Sequence, residues 1–177
     1  MLKPRMAVIA VMIFVAAASR LMPHPPDFTA VTAMALFGGA YLSDWRIAFA
    51  VPLSALFLSD ALIGFYSHME IVYGSFAIVV AIGLLLRTRR TVPMICAVVF
   101  ASSVLFFVLT NLGVWATSGL YPRTMIGLVT CYTAALPFFR NMLAGDAFYV
   151  LALFGGFAGL QQLIPRLRQS QAVPSPA

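Results

Sequence analysis

Charged residues are scarce in this sequence. They make up 9% of its 177 residues, whereas an ordinary soluble domain carries about 25%. Apolar residues make up 62%, so a compact fold could not cover its surface with polar groups in water. The composition therefore excludes a soluble globular protein. It predicts an all-α integral membrane protein with the lipid bilayer as its surroundings.

Several motifs of enzymes and cofactor sites are also missing. Lysine occurs only at Lys3, and without a G-x-x-x-x-G-K-[ST] motif the chain has no P-loop for ATP. Cys96 and Cys131 lie in apolar runs without metal-ligand spacing, which argues against a structural zinc ion or a disulfide framework. The sequence has no H-E-x-x-H and no serine nucleophile motif. We therefore expect no enzyme activity, no cofactor and no metal.

Six apolar runs approach the length of about 20 residues that a helix needs to cross a bilayer. Together they predict a single transmembrane domain over residues 1–168. A disordered cytoplasmic tail is expected over residues 169–177, which are rich in Gln, Ser and Pro. The runs cover residues 6–22, 30–42, 46–66, 71–86, 92–115 and 141–163.

The segment 125–139, which contains Pro137, decides the topology. If it does not cross, six spans place both termini and eight of the eleven cations in the cytoplasm; if it crosses, seven cations lie there. The first arrangement is favoured, with 125–139 as a re-entrant or interfacial helix before the last span. Since the cations are scattered and mark topology, nucleic acid is not an expected partner. The expected location is a bacterial cytoplasmic (inner) membrane.

In this topology the polar residues collect at the outer ends of the spans. Polar groups in hydrocarbon are costly and mark functional sites, so we predict a substrate-binding cavity open to the outside. Two structural alternatives stay open: ion pairs of the acids with Arg20 or Arg140, and Asn141 as the N-cap of the last helix. The predicted substrate-binding residues are Asp60, Asn111, Arg123, Arg140, Asn141 and Asp146.

Two sequence blocks carry a family resemblance. The first is RLMPHPPDFTAVTAMALFGGA at residues 20–40, and the second combines LYPRT at 120–124 with PFFRN at 137–141. With LSD at 58–60 and GD at 145–146, they resemble an uncharacterised bacterial family of small membrane proteins assigned to transport. That family in turn resembles the S components of energy-coupling factor (ECF) transporters.

The resemblance implies a six-helix protein that captures a small nutrient, either a vitamin-like molecule or a metal ion, from outside. It also implies a transmembrane coupling subunit with ATPases as partner. S components often carry small residues four apart on the first helix, but Ala7, Ala10 and Ala16 are not followed by such a residue here. A solitary carrier therefore stays open. The alternative from another class is a non-transporting multi-span scaffold of cell-envelope synthesis.

Overall fold

The computed structural model describes residues 4–168, and this part of the chain is helical without any strand. The all-α prediction is confirmed, while the predicted tail over 169–177 lies outside the described residues. The helices are α1 (Pro4–Ala18), α2 (Val31–Tyr41), α3 (Trp45–Ile63), α4 (Met69–Leu84), α5 (Val92–Thr117), α6 (Met125–Val150) and α7 (Gly156–Leu163).

Five helical stretches are long and apolar enough to cross a membrane, as expected of a multi-pass membrane protein. Arg5 near the start of α1 and Arg87 after α4 both reach the end of α2, so α1 begins where α2 and α4 end. We call this end of the bundle the arginine end. The opposite end, where α1 and α3 finish and α2 begins, is called the cavity end.

Helix α2 differs from the span expected over 30–42. Its 11 residues extend only about 16 Å at 1.5 Å per residue, about half of the hydrocarbon thickness. Every residue of α2 is buried, and α1, α3, α4, α5 and α6 all contact it. A helix that is apolar all round is typically buried in this way, so α2 is the central core helix of the bundle.

Glycines allow α2 and α4 to approach closely. A Cβ atom on Gly39 would lie 2.8 Å from the backbone carbonyl carbon of Gly83. Such a distance is shorter than van der Waals contact, so any side chain at Gly39 would push the helices apart. The close packing of α2 against α4 therefore depends on this pair of glycines.

The region around Pro137 also differs from expectation. Residues 125–139 do not form a separate re-entrant helix but the first half of α6, which continues through a π-helical turn, Leu151–Gly155, into α7. A proline removes one backbone donor, but neighbouring helices can tolerate the loss. The continuous 39 residues extend about 58 Å, well beyond a hydrocarbon layer of about 30 Å.

Candidate functional site

A cavity of about 390 Å³ lies at the cavity end, between the loop before α2 and helices α4, α5 and α6. This volume lies within the range of about 300–1,000 Å³ found for small-molecule sites. Its lining combines polar and aromatic side chains. The polar ones are Arg20, Asp27, Thr29, Thr32, Tyr66, Thr110 and Asn111, and the aromatic rings are Phe106, Phe107, Phe138 and Phe139.

Arg20 belongs to one wall of the cavity and is held there by an ion pair behind the wall. Arg20 Nη1 lies 2.7 Å from Asp60 Oδ1 and also donates to Ser59 Oγ, while Tyr73 donates to Asp60 Oδ2 at 2.9 Å. Asp60 is only 1% exposed, so its charge depends on these partners in place of water. Of the two alternatives for Asp60, the ion pair with Arg20 is the one present, and Arg20 rather than Asp60 lines the cavity.

Tyr66 extends this hydrogen-bonded wall from the loop between α3 and α4. Burial, followed by the charge of Asp60, raises the pKa of Tyr66 to about 12, although Arg20 acts in the opposite direction. A hydrogen bond to Asp60 also contributes. Tyr66 therefore remains a protonated donor at the cavity mouth throughout the physiological pH range.

The loop before α2 brings Asp27 to the cavity in an unusual backbone conformation. Its φ is +61°, which non-glycine residues adopt rarely and Asp more readily than most. Gly145 of α6 makes room for this loop, because a Cβ there would lie 2.9 Å from the Thr29 nitrogen. Partial removal from water raises the pKa of the Asp27 carboxyl, and His24 opposes that shift.

Asp146 lies deeper than the cavity lining. It is 1% exposed, and its Oδ2 lies 2.6 Å from Ser103 Oγ. The Oδ1 atom has no hydrogen-bond partner among residues 4–168. Ser103 on α5 is therefore a hydrogen-bonding neighbour of Asp146 on α6. The alternative, an ion pair of Asp146 with Arg140, is absent from the described structure.

The other predicted site residues fall into two groups. Asn111 lines the cavity, whereas Arg123 and Arg140 are exposed and do not line it. Asn141 lies inside α6, so its interpretation as an N-cap is wrong: the helix does not begin there. Its Nδ2 instead donates to the Pro26 carbonyl at 3.0 Å, which ties the loop before α2 to α6.

Several lining residues were missed at the sequence level. Thr29, Thr32 and Tyr66 are ordinary in loops and at helix starts, so nothing in their local sequence singled them out. The aromatic rings left a clearer signal, since the chain has two Phe-Phe pairs, at 106–107 and 138–139, and both reach the cavity. Only the packing of α5 against α6 brings the pairs together.

The residues at this end offer hydrogen bonds and aromatic contacts rather than a metal-ligand set. In the described range 4–168, no three His, Cys, Asp or Glu side chains are grouped to hold a metal ion. The rings of Phe107 and Phe139 are tilted against each other with centroids 4.5 Å apart, and both line the cavity together with the polar side chains. The arrangement can bind a small molecule that has one flat apolar part and one polar part.

Comparison with known proteins gives the family but no function. The sequence profile of a family of unknown function, DUF6580, matches residues 1–167. Because the match covers nearly the whole chain, the protein belongs to this family. No curated protein and no solved structure matches it.

Proposed function

We propose that this member of a family of unknown function is a membrane uptake protein that captures a small amphipathic nutrient in the cavity at the end of α2. The observation that carries the proposal is the cavity of about 390 Å³ lined by both polar side chains and aromatic rings. Such convergence of a few polar groups in an otherwise apolar pocket is typical of ligand sites. We also propose that the protein captures its substrate in the same way as the S components of ECF transporters, which it resembles.

The lining favours an organic, vitamin-like molecule over a metal ion. Arg20 is neutralised by Asp60 at 2.7 Å, which leaves Asp27 as the acidic lining residue beside uncharged groups such as the hydroxyls of Thr32 and Thr110 and the amide of Asn111. These groups recognise neutral hydrogen-bonding substituents, while the rings of α5 and α6 stack on a flat apolar ring. A hard cation would instead prefer several carboxylate and carbonyl oxygens.

The cavity end is proposed to face the outside of a bacterial cytoplasmic membrane. The charge distribution supports this orientation, because Arg5, Arg87 and Arg90 gather at the opposite end and cytoplasmic loops are rich in Arg and Lys. Both termini would then be cytoplasmic. Energy would come from a coupling subunit with ATPases or, for a solitary carrier, from the substrate gradient.

Native mass spectrometry of the purified protein tests whether a small molecule is retained. Thr110 and Thr130 offer a matched pair, since each hydroxyl donates to a carbonyl four residues back at 2.8 Å, but only Thr110 lines the cavity. Thr110→Leu should crowd the ligand at a cost of about 1–3 kcal/mol, equivalent to binding that is roughly 5-fold to 150-fold weaker. Thr130→Leu should leave the ligand bound.

The same variants are then compared in uptake by cells. Loss of both retention and uptake in Thr110→Leu alone would support the proposal. Equal retention in both variants would overturn the cavity as the binding site. A wild-type protein without any retained molecule, together with a cell-shape defect on deletion, would favour the scaffold alternative.

A further inference from the structure

The arginine end of the bundle carries a cluster of guanidinium groups that the proposed uptake does not use. The arginine cluster consists of Arg5, Arg87 and Arg90, which surround the last turn of α2. It lies at the opposite end of this helix from the cavity, so its role is independent of the substrate site.

Two of the three arginines are held by the backbone of α2. Arg87 donates from Nε to the Gly39 carbonyl at 3.0 Å and from Nη2 to the Leu42 carbonyl, and Arg90 Nη2 donates to the Ala40 carbonyl at 2.6 Å. These bonds satisfy carbonyls that a helix end leaves unpaired. They use only three of the ten donors that the two guanidinium groups offer.

Arg5 completes the cluster, and in the described part of the chain it makes no such bond. Its Cζ lies 5.9 Å from the ring centroid of Tyr41 and 5.9 Å from that of Phe157, and Arg90 Cζ lies 4.5 Å over the same Tyr41 ring. The Nε and Nη2 atoms of Arg5 and the Nε atom of Arg90 are buried without a hydrogen-bond acceptor among residues 4–168. Buried donors of this kind are costly unless something accepts from them.

The cluster also lacks an acidic partner within the part of the chain that the structure describes. The ion pairs found in residues 4–168 are Arg20 with Asp60 and His68 with Glu70, both at the cavity end. Burial lowers the pKa of Arg90; the charge of Arg87 lowers it further, while Tyr41 opposes the shift. An anion between the arginines would relieve this repulsion and accept from the orphan donors.

We propose that the arginine cluster is a binding site for an anionic phosphate group, with Arg5 and Arg90 as its principal ligands. A phosphate has several oxygens that point in different directions and can accept from two guanidinium forks at once, whereas a single carboxylate satisfies one fork. The phosphate comes either from the headgroup of an anionic phospholipid or from a free phosphate. Basic pockets at the cytoplasmic ends of transmembrane helices bind anionic headgroups in this way.

Two single variants test the site on the full-length protein. Arg5→Gln removes the cluster arginine that, within the described residues, makes no hydrogen bond to α2, so the capping of α2 stays intact. Arg89→Gln is its control, because Arg89 is exposed and the change in net charge is the same. Each protein is delipidated in detergent and titrated with phosphatidylglycerol, phosphatidylcholine or inorganic phosphate, with native mass spectrometry and thermal unfolding as readouts.

We expect phosphatidylglycerol to bind and stabilise the wild type and Arg89→Gln, and to bind Arg5→Gln about fivefold or more weakly. Phosphatidylcholine, whose phosphate is neutralised by its own choline, should have little effect. Protection by inorganic phosphate at micromolar concentration would identify a free anion as the source. Equal loss in both variants, or no preference for either phosphate probe over phosphatidylcholine, would overturn the site.

Discussion

The two ends of α2 differ in whether their arginines are paired with a carboxylate. At the cavity end, Arg20 lines the cavity and lies 2.7 Å from the buried Asp60. At the arginine end, three guanidinium groups converge without a carboxylate within 4.0 Å among the described residues. A paired charge fixes the shape of a pocket but adds little net field, whereas an unpaired cluster attracts an anion.

The largest expected effect comes from breaking the pair at the cavity end. Asp60→Leu leaves Arg20 buried without a counter-charge, so the free energy of unfolding should fall by about 3–5 kcal/mol. The double variant Arg20→Met with Asp60→Leu should recover more than half of that loss, because no charge remains to be compensated. Chemical unfolding in detergent measures both, and a double variant as unstable as the single one would contradict the pairing.

The next largest effect on stability is expected from disturbing α2, the helix that connects the two ends. Gly39→Ala places a Cβ where the backbone of Gly83 already lies, so α2 and α4 must move apart at a cost of about 1–3 kcal/mol. The control is Gly74→Ala on α4, whose Cβ would meet nothing within 4 Å. The control should be neutral or stabilising by up to about 1 kcal/mol, and thermal unfolding that ranks the two in the reverse order would refute the close approach.

A smaller effect is expected at the deeper acid of the cavity end. Ser103→Ala removes the hydroxyl beside Asp146 Oδ2 and leaves Thr32 as the remaining hydrogen-bond partner of that carboxyl, at a cost of about 0.5–1.5 kcal/mol. Ser75→Ala is the control, because that buried hydroxyl donates only to the Ile71 carbonyl. It should cost less than Ser103→Ala in the same unfolding assay; equal costs would mean that the carboxyl does not depend on Ser103.

The smallest effect is expected for the two arginines that the sequence placed in the site but that do not line the cavity. Arg123 and Arg140 are exposed, so Arg123→Gln and Arg140→Gln should change ligand retention by less than about twofold. Binding of the retained molecule measures this. A larger loss would show that these residues reach the substrate when the cavity closes.

The positions of most helices could be predicted from the sequence. The apolar runs at 46–66, 71–86 and 92–115 correspond to α3, α4 and α5 within a few residues, because a long apolar run in a membrane has no alternative to a helix. The prediction differed at Pro137 and Asn141. A proline inside a packed membrane helix need not end it, and the sequence alone does not reveal whether neighbours accommodate the kink.

The candidate site was less predictable than the fold. The sequence indicated that acids and amides gather at one end, and Asn111 and the Arg20–Asp60 pair are found there. It could not assign Ser103 to Asp146 or bring the two Phe-Phe pairs together, since both depend on the rotation of α5 against α6. Arg140, a candidate partner from sequence, lies on the exposed side of α6.

The sequence by itself determined that this chain is an all-helical membrane protein, because so few charged residues and such long apolar runs leave no other way to satisfy the backbone. It also predicted that Asp60 and Asn111 lie toward the same end as Arg20, since depth follows from position along a span, and the structure brings them together there. Only the tertiary structure decided which charges are paired and which are not. Pairing depends on contacts of a few ångströms between distant segments, and α2, buried along its whole length, is the helix around which those segments meet.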